Sequence, residues 1–182
     1  MIYGVELKPL VTHTDERGFF REILRASDPI FAEGFAQWSH TMSHTGVAKA
    51  WHIHWRQTDW WYVACGTIKA ALYDARPNSP TYGQLQEFLL GDGHPPVVLK
   101  IPPGVAHGYR VLQGPAHIFY ITSNEYDGTD EGRIPHDDPS IGYGGPAGRR
   151  LSERGENPKG RKYPQPPIVG AVCYFVLSAE VR

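Results

Sequence analysis

A chain of 182 residues has the length of one domain, or of one domain with a tail. Hydrophobic residues make up 41% of it and charged residues 20%, which is enough apolar material for a core, and the formal net charge of −1 provides no global field to draw in nucleic acid or a membrane surface. No apolar run reaches the roughly 18 residues of a spanning helix. MIYGVELKPL has no basic region followed by an apolar one, so a soluble, cytoplasmic protein is expected.

Glycine (20) and proline (16) recur as turn signals, which favours many short strands over long helices. In chain order the apolar runs of strand length are VELKPLV, FFREIL, VAKAWHIH, WWYVACGTIKAALYD, QLQEFLLG, PVVLKIP and AHIFYITS. Between them lie the turn clusters HTDERG, RPNSPTYG, GDGHPP, PPG, LQGP and SNEYDGTDEG. SDPIFAEGF is the best candidate for a short helix, with Ser27 or Asp28 as its cap and Pro29 in its first turn. Residues 1–145 therefore read as one all-β domain, a sandwich or barrel. Residues 146–182 change character: a polar, basic, Gly/Pro-rich stretch reads as a loop or extended linker. IVGAVCYFVLSAEV then reads as an extra strand, added to the domain or to a neighbouring subunit. The basic run from Arg149 to Lys162 reads as a solvated tail, not a nucleic-acid site. Cys65 and Cys173 form no C-x-x-C pair and read as buried free thiols in a reducing cytosol.

The stretch WHIHWRQTDWW, from Trp51 to Trp61, carries the chemistry. Alternation along a strand puts His52 and His54 on one face and Ile53 on the other. Asp59 follows, and PPGVAHGY brings His107 from a distant strand. His52, His54, Asp59 and His107 form a three-imidazole, one-carboxylate set suited to Fe, Mn, Ni or Zn. The same residues also suit a barrel interior in which hydrogen bonds satisfy the histidines.

The spacing Gly46-x5-His52-x-His54-x4-Asp59-x6-Gly66, with Pro102-x-Gly104-x2-His107, resembles the two motifs of the cupin superfamily, Asp59 standing where that superfamily usually has Glu. This resemblance implies a double-stranded β-helix, or jelly-roll, barrel with few short helices. A longer resemblance covers about Val5 to Gly145. DERGFFRE, FAQWSHTMSHTGVAKAWHIH, YDARPNSPTYGQ, IPPGVAHGYRVL, FYITSNEYDG and HDDPSIGY occur in the order of the dTDP-4-dehydrorhamnose 3,5-epimerase family.

The family resemblance implies epimerisation at carbons 3 and 5 of a 4-keto-6-deoxy sugar on dTDP, with no cofactor required. A base removes a proton made acidic by the ketone, and an acid returns one from the other face. It implies His52 as base, Tyr120 as acid and Asp138 as the carboxylate orienting the base, with the adjacent Asp137 as the alternative. Lys49 stands at a phosphate-contact arginine, and lysine keeps that charge without the bidentate fork. Arg17 and Glu22 match a pair that reaches the nucleotide, often across a homodimer. Gln37 and His107 match binding positions, and Ser39 replaces the usual Asn. The family's enolate-stabilising lysine aligns with Asp59, which reverses the sign of the charge, and a glutamine has become His54. Both changes favour ligation of a divalent ion in place of the lysine. His52 is then either base or ligand. Two rival readings follow, a metal-dependent cupin acting on another small molecule as dioxygenase, isomerase or lyase, and a non-catalytic sugar-nucleotide binding module.

Overall fold

The computed structural model describes residues 1–143. The tail expected over 146–182, with its extra strand and Cys173, lies outside the described residues. The strands are β1 (Glu6–Pro9), β2 (Thr12–Asp15), β3 (Gly18–Arg21), β4 (Gln37–Ser43), β5 (Ala48–His54), β6 (Asp59–Asp74), β7 (Leu85–Gly91), β8 (Val97–Ile101), β9 (Val105–Thr122) and β10 (Glu131–Arg133). The helix expected over SDPIFAEGF is a three-residue 3-10 turn, Pro29–Phe31. Asp28 does not cap it, because its carboxylate accepts the Arg25 N–H at 2.8 Å and pairs with Lys8.

Two long strands organise the domain. β6 and β9 pair antiparallel from Asp59↔Thr122 to Asp74↔Val105, with register shifts between Val63 and Ile68. The first part of β6 also pairs with β8, and the last part of β9 with β4. That gives one layer, β1-β8-β6-β9-β4. The second part of β6 pairs with β7 and the first part of β9 with β5, which carries β10. That gives the other layer, β7-β6-β9-β5-β10. The irregular register lets both strands bend from one layer into the other, as β-bulges do. The turn expected at LQGP lies inside β9, since the chain bends there without leaving the ladder. The result is the expected jelly-roll arrangement.

Strand alternation sorts the side chains. Trp61, Val63, Ile68, Ala70 and Leu72 of β6 meet Leu99, Ile101, Tyr109, Val111 and Ile118 between the layers. Trp60 points the other way, to Leu10, Ile30, Phe31 and Val98. Trp51 and Ile53 of β5 also point outward, onto Ala71, Tyr73, Ile134, Ile141 and Tyr143. The segment 134–143 therefore covers the outer face of the second layer. His52 and His54, one residue out of phase, are left facing inward.

Two close approaches hold β5 against β9. A Cβ on Gly108 would lie 2.5 Å from Ala50 Cβ and 2.7 Å from Lys49 O, so only glycine fits there. The Gly104 N–H donates to His54 O at 2.7 Å, which fixes the turn before His107.

Asp74, fully buried, secures the far end of the ladder. Its carboxylate accepts Arg76 Nε at 2.8 Å and the hydroxyls of Ser79 and Thr81, each at 2.6 Å. Burial pushes its pKa up, but these donors outweigh burial and hold it at about 2. A depressed carboxylate stabilises the fold above its unfolded value and loses that contribution as pH falls through the folded one. Asp74→Asn is expected to lower unfolding free energy by roughly 2 kcal/mol at neutral pH. Chemical denaturation should show the gap between the two proteins closing between about pH 4 and pH 2.

Candidate active site

A cavity of about 220 Å³ opens between the layers at one end of the barrel. Its wall includes Gln37, Lys49, His52, His54, Asp59, His107 and Tyr120, which sequence reasoning had singled out, together with Glu131 and Gln57. His52 and His54 come from β5 and His107 from β9 in one layer. Asp59 opens β6, and Tyr120 stands near the end of β9, in the opposite layer.

The two nitrogens of His52 have different partners. Arg133 Nη1 donates to Nε2 at 2.7 Å. Nδ1 faces Glu131 Oε1 at 3.4 Å. A guanidinium has only protons to give, so Nε2 is the unprotonated nitrogen and Nδ1 carries the hydrogen toward the carboxylate. Burial, with the charges around it, pushes the His52 pKa well below its ordinary value. The ring is therefore neutral near pH 7, with its lone pair on Nε2.

Asp138 does not reach His52. Its Oδ1 accepts the Ser140 N–H at 2.8 Å and the Ser140 hydroxyl at 2.5 Å. The turn so formed delivers Ile141 and Tyr143 to the outer cluster, which lies on the opposite face of β5 from His52. Asp137 is exposed in the same turn. Glu131 takes the expected place because it faces β5 across the strand pair, opposite His54, with Arg133 opposite His52.

The imidazole and carboxylate set also departs from expectation. His54, Asp59 and His107 bring one ligand atom each within 4.8 Å of one another, and His52 is not among them. The His107 Nδ1 lies 3.1 Å from Val105 O and donates to it. Its Nε2 then faces Asp59 Oδ2, 3.7 Å away. Asp59 is itself held by Gln57 Nε2 at 2.7 Å and Trp61 Nε1 at 3.2 Å. Burial holds His107 below its ordinary pKa, and the Asp59 charge works against that.

The remaining wall is polar and aromatic. The Lys49 ammonium sits 5.9 Å from the Tyr109 ring centre and 3.4 Å from Thr41 Oγ1. Gln37 donates to Ser39 Oγ at 3.0 Å and accepts the Tyr126 N–H at 2.9 Å. The Tyr120 ring lies 6.3 Å from Trp61. Arg17 and Glu22 lie away from this cavity within one chain. Arg17 sits at the tip of the β2–β3 hairpin and bonds Asp15, while Glu22 pairs with Arg25.

Sequence reasoning missed Glu131, Arg133 and Gln57. The first two follow a run of turn-forming residues, and β10 spans only three positions. The available signal was Glu-Gly-Arg itself, two charged residues two apart and so on one strand face.

A family model described as dTDP-4-dehydrorhamnose 3,5-epimerase matches residues 1–159. The spore coat polysaccharide biosynthesis protein SpsL of Bacillus subtilis (strain 168) is 45% identical over 146 residues, covering 79% of this chain and 95% of that protein. The probable low-salt glycan biosynthesis epimerase Agl13 of Haloferax volcanii is 33% identical, covering 75% of this chain and 89% of its own length. Among solved structures, a dTDP sugar isomerase from Desulfovibrio desulfuricans G20 superposes with a TM-score of 0.76 at 30% identity, covering 84% of this chain and 97% of its own. The Legionella pneumophila 3,5-epimerase in complex with dTDP-4-keto-L-rhamnose superposes at 0.72 with 28% identity, covering 83% of each chain. By sequence and by fold, this chain belongs to the dTDP-4-dehydrorhamnose 3,5-epimerase family.

Proposed function

We propose that the protein epimerises a dTDP-linked 4-keto-6-deoxy sugar at a carbon next to the ketone. The observation that carries this reading is the placement of His52 and Tyr120 on opposite layers of one cavity. His52, neutral with its lone pair on Nε2, accepts the proton from the carbon. Tyr120 returns a proton from the other face, which inverts the centre. Glu131 keeps the hydrogen on Nδ1 and stabilises the imidazolium that forms. Arg133 leaves Nε2 when the sugar enters, because the carbon's hydrogen must take its place. Removal and return of a proton leave the oxidation level unchanged, so this chemistry calls for no redox cofactor. The charge developing on the ketone oxygen does need a preorganised positive partner on the cavity wall.

Lys49 faces the nucleotide diphosphate, and Gln37 and His107 line the sugar's path. Arg17 and Glu22 act in trans, in a homodimer whose β2–β3 hairpin closes the neighbouring cavity. The exposure of Phe19 and Phe20 on that hairpin, 62% and 65%, supports a role in covering a second copy. Cys65 is exposed where burial was expected, since it lies at the irregular bend of β6, and its free thiol fits a reducing cytoplasm.

In D2O, incubation with dTDP-4-keto-6-deoxyglucose is expected to place deuterium at C3, at C5 or at both. An unlabelled sugar after complete mixing would sink the reading. His52→Asn should lower kcat by ~100- to 10,000-fold with unchanged circular dichroism. Tyr120→Phe should retain deuterium exchange on the His52 side while losing net inversion, a split that NMR resolves.

Glu131→Gln and Asp138→Asn test which carboxylate orients the base. The first should cost kcat at least ~10-fold, since it disturbs the tautomer. The second should act through stability, leaving kcat of the folded protein within ~2-fold, since its carboxylate serves a turn. The reverse order would return the role to Asp138.

A further inference from the structure

We propose that His54, Asp59 and His107 form a binding site for one divalent transition-metal ion, distinct from the proton-transferring His52. Three observations converge on it. First, each residue directs one ligand atom into the same space, all within 4.8 Å of one another. An ion with bonds of about 2.1 Å separates its ligand atoms by roughly 3–4 Å, and the His107 Nε2 to Asp59 Oδ2 distance is 3.7 Å.

Second, the geometry turns a ligand atom of each group toward the other. His107 commits its Nδ1 to Val105 O, which turns Nε2, the nitrogen left for a ligand, toward Asp59. At 3.7 Å no hydrogen bond joins them. Asp59 is 6% exposed, and among the described residues no lysine or arginine stands within ion-pair distance of it. An ion between the buried carboxylate and that nitrogen supplies a positive charge that no lysine or arginine provides among the described residues.

Third, the ligands are braced from behind. A backbone carbonyl fixes the tautomer of His107, and Gln57 and Trp61 hold both oxygens of Asp59. Such supporting hydrogen bonds are what metal ligands require to stay in register. Two imidazoles and one carboxylate suit Mn, Fe, Ni or Zn and leave coordination positions open to the cavity.

His52 stays outside this set because Glu131 and Arg133 hold its nitrogens. Base and ion therefore coexist, and no residue serves both purposes. Resting on the sugar reading above, the ion supplies Lewis acidity at the ketone oxygen.

The test uses the untagged full-length chain, purified without chelator, stripped with dipicolinate and titrated with Mn²⁺ and with Zn²⁺ by calorimetry. One equivalent should bind, and saturating ion should raise Tm. His54→Gln and Asp59→Asn should each weaken binding ~100-fold or more. Both variants should keep the circular dichroism spectrum of the parent, so that weaker binding reports the site and not misfolding. His117→Gln, in the exposed His40–His117 pair, serves as the surface control and should bind normally.

No saturable binding overturns the site, as does binding lost in His117→Gln but kept in Asp59→Asn. Deuterium exchange separates this proposal from the sugar reading. Loss of exchange on stripping, restored by Mn²⁺ or Zn²⁺, supports the ion's role at the ketone, and undiminished exchange in stripped protein overturns that role. Tight binding with no exchange under any condition would overturn the sugar reading and leave the ion site standing.

Discussion

The antiparallel pairing of β6 with β9 is the constraint on which everything else rests. Asp59 begins β6 opposite Thr122, whereas His107 pairs with Leu72 near the other end of the same ladder. Laid flat, the thirteen residue steps from Asp59 to Leu72 would separate these positions by roughly 40 Å. In the folded chain Asp59 and His107 approach to 3.7 Å. The ladder bends through its irregular register between Val63 and Ile68 and faces itself across the core. The cavity is the space at the open end of that fold, and its opposing walls are two stretches of one strand pair.

The phase of β5 then decides what the cavity contains. Trp51 and Ile53 have an apolar cover of their own, the segment carrying Ile134, Ile141 and Tyr143. That cover anchors the odd-numbered positions outward, so the even-numbered histidines must face inward. A one-residue slip would reverse both sets. The same packing separates Asp138 from His52 by placing its turn on the outer face. β10 joins the edge of the sheet and brings Glu131 and Arg133 in on the cavity side. A carboxylate and a guanidinium in this position choose the tautomer of His52 without a residue from the outer segment.

Two centres of differing character thus share one cavity. His52 accepts a hydrogen bond from Arg133 at Nε2, faces Glu131 at Nδ1 and is tied to an edge strand. His54, Asp59 and His107 lie deeper, braced by Gln57, Trp61 and a main-chain carbonyl. The first is suited to moving a proton and the second to holding positive charge. Enolisation next to a ketone requires both, one where the proton leaves and one where negative charge collects.

Much of this was legible in the chain itself. Turn spacing announced an all-β domain, and strand alternation placed His52 beside His54. The motifs around Gly46–Gly66 and Pro102–His107 named the barrel, because such patterns record which side chains share a face and where the backbone must turn. The partners of those side chains were not legible. Whether His52 is held by Glu131 or by Asp138 depends on which face of β5 the segment after residue 133 covers. The meeting of Asp59 with His107, and the exclusion of His52 from that group, depend on how a long ladder bends. Local sequence sets the direction of a side chain, but the contact it makes is decided by which distant strand arrives opposite it, and only the packed structure contains that information.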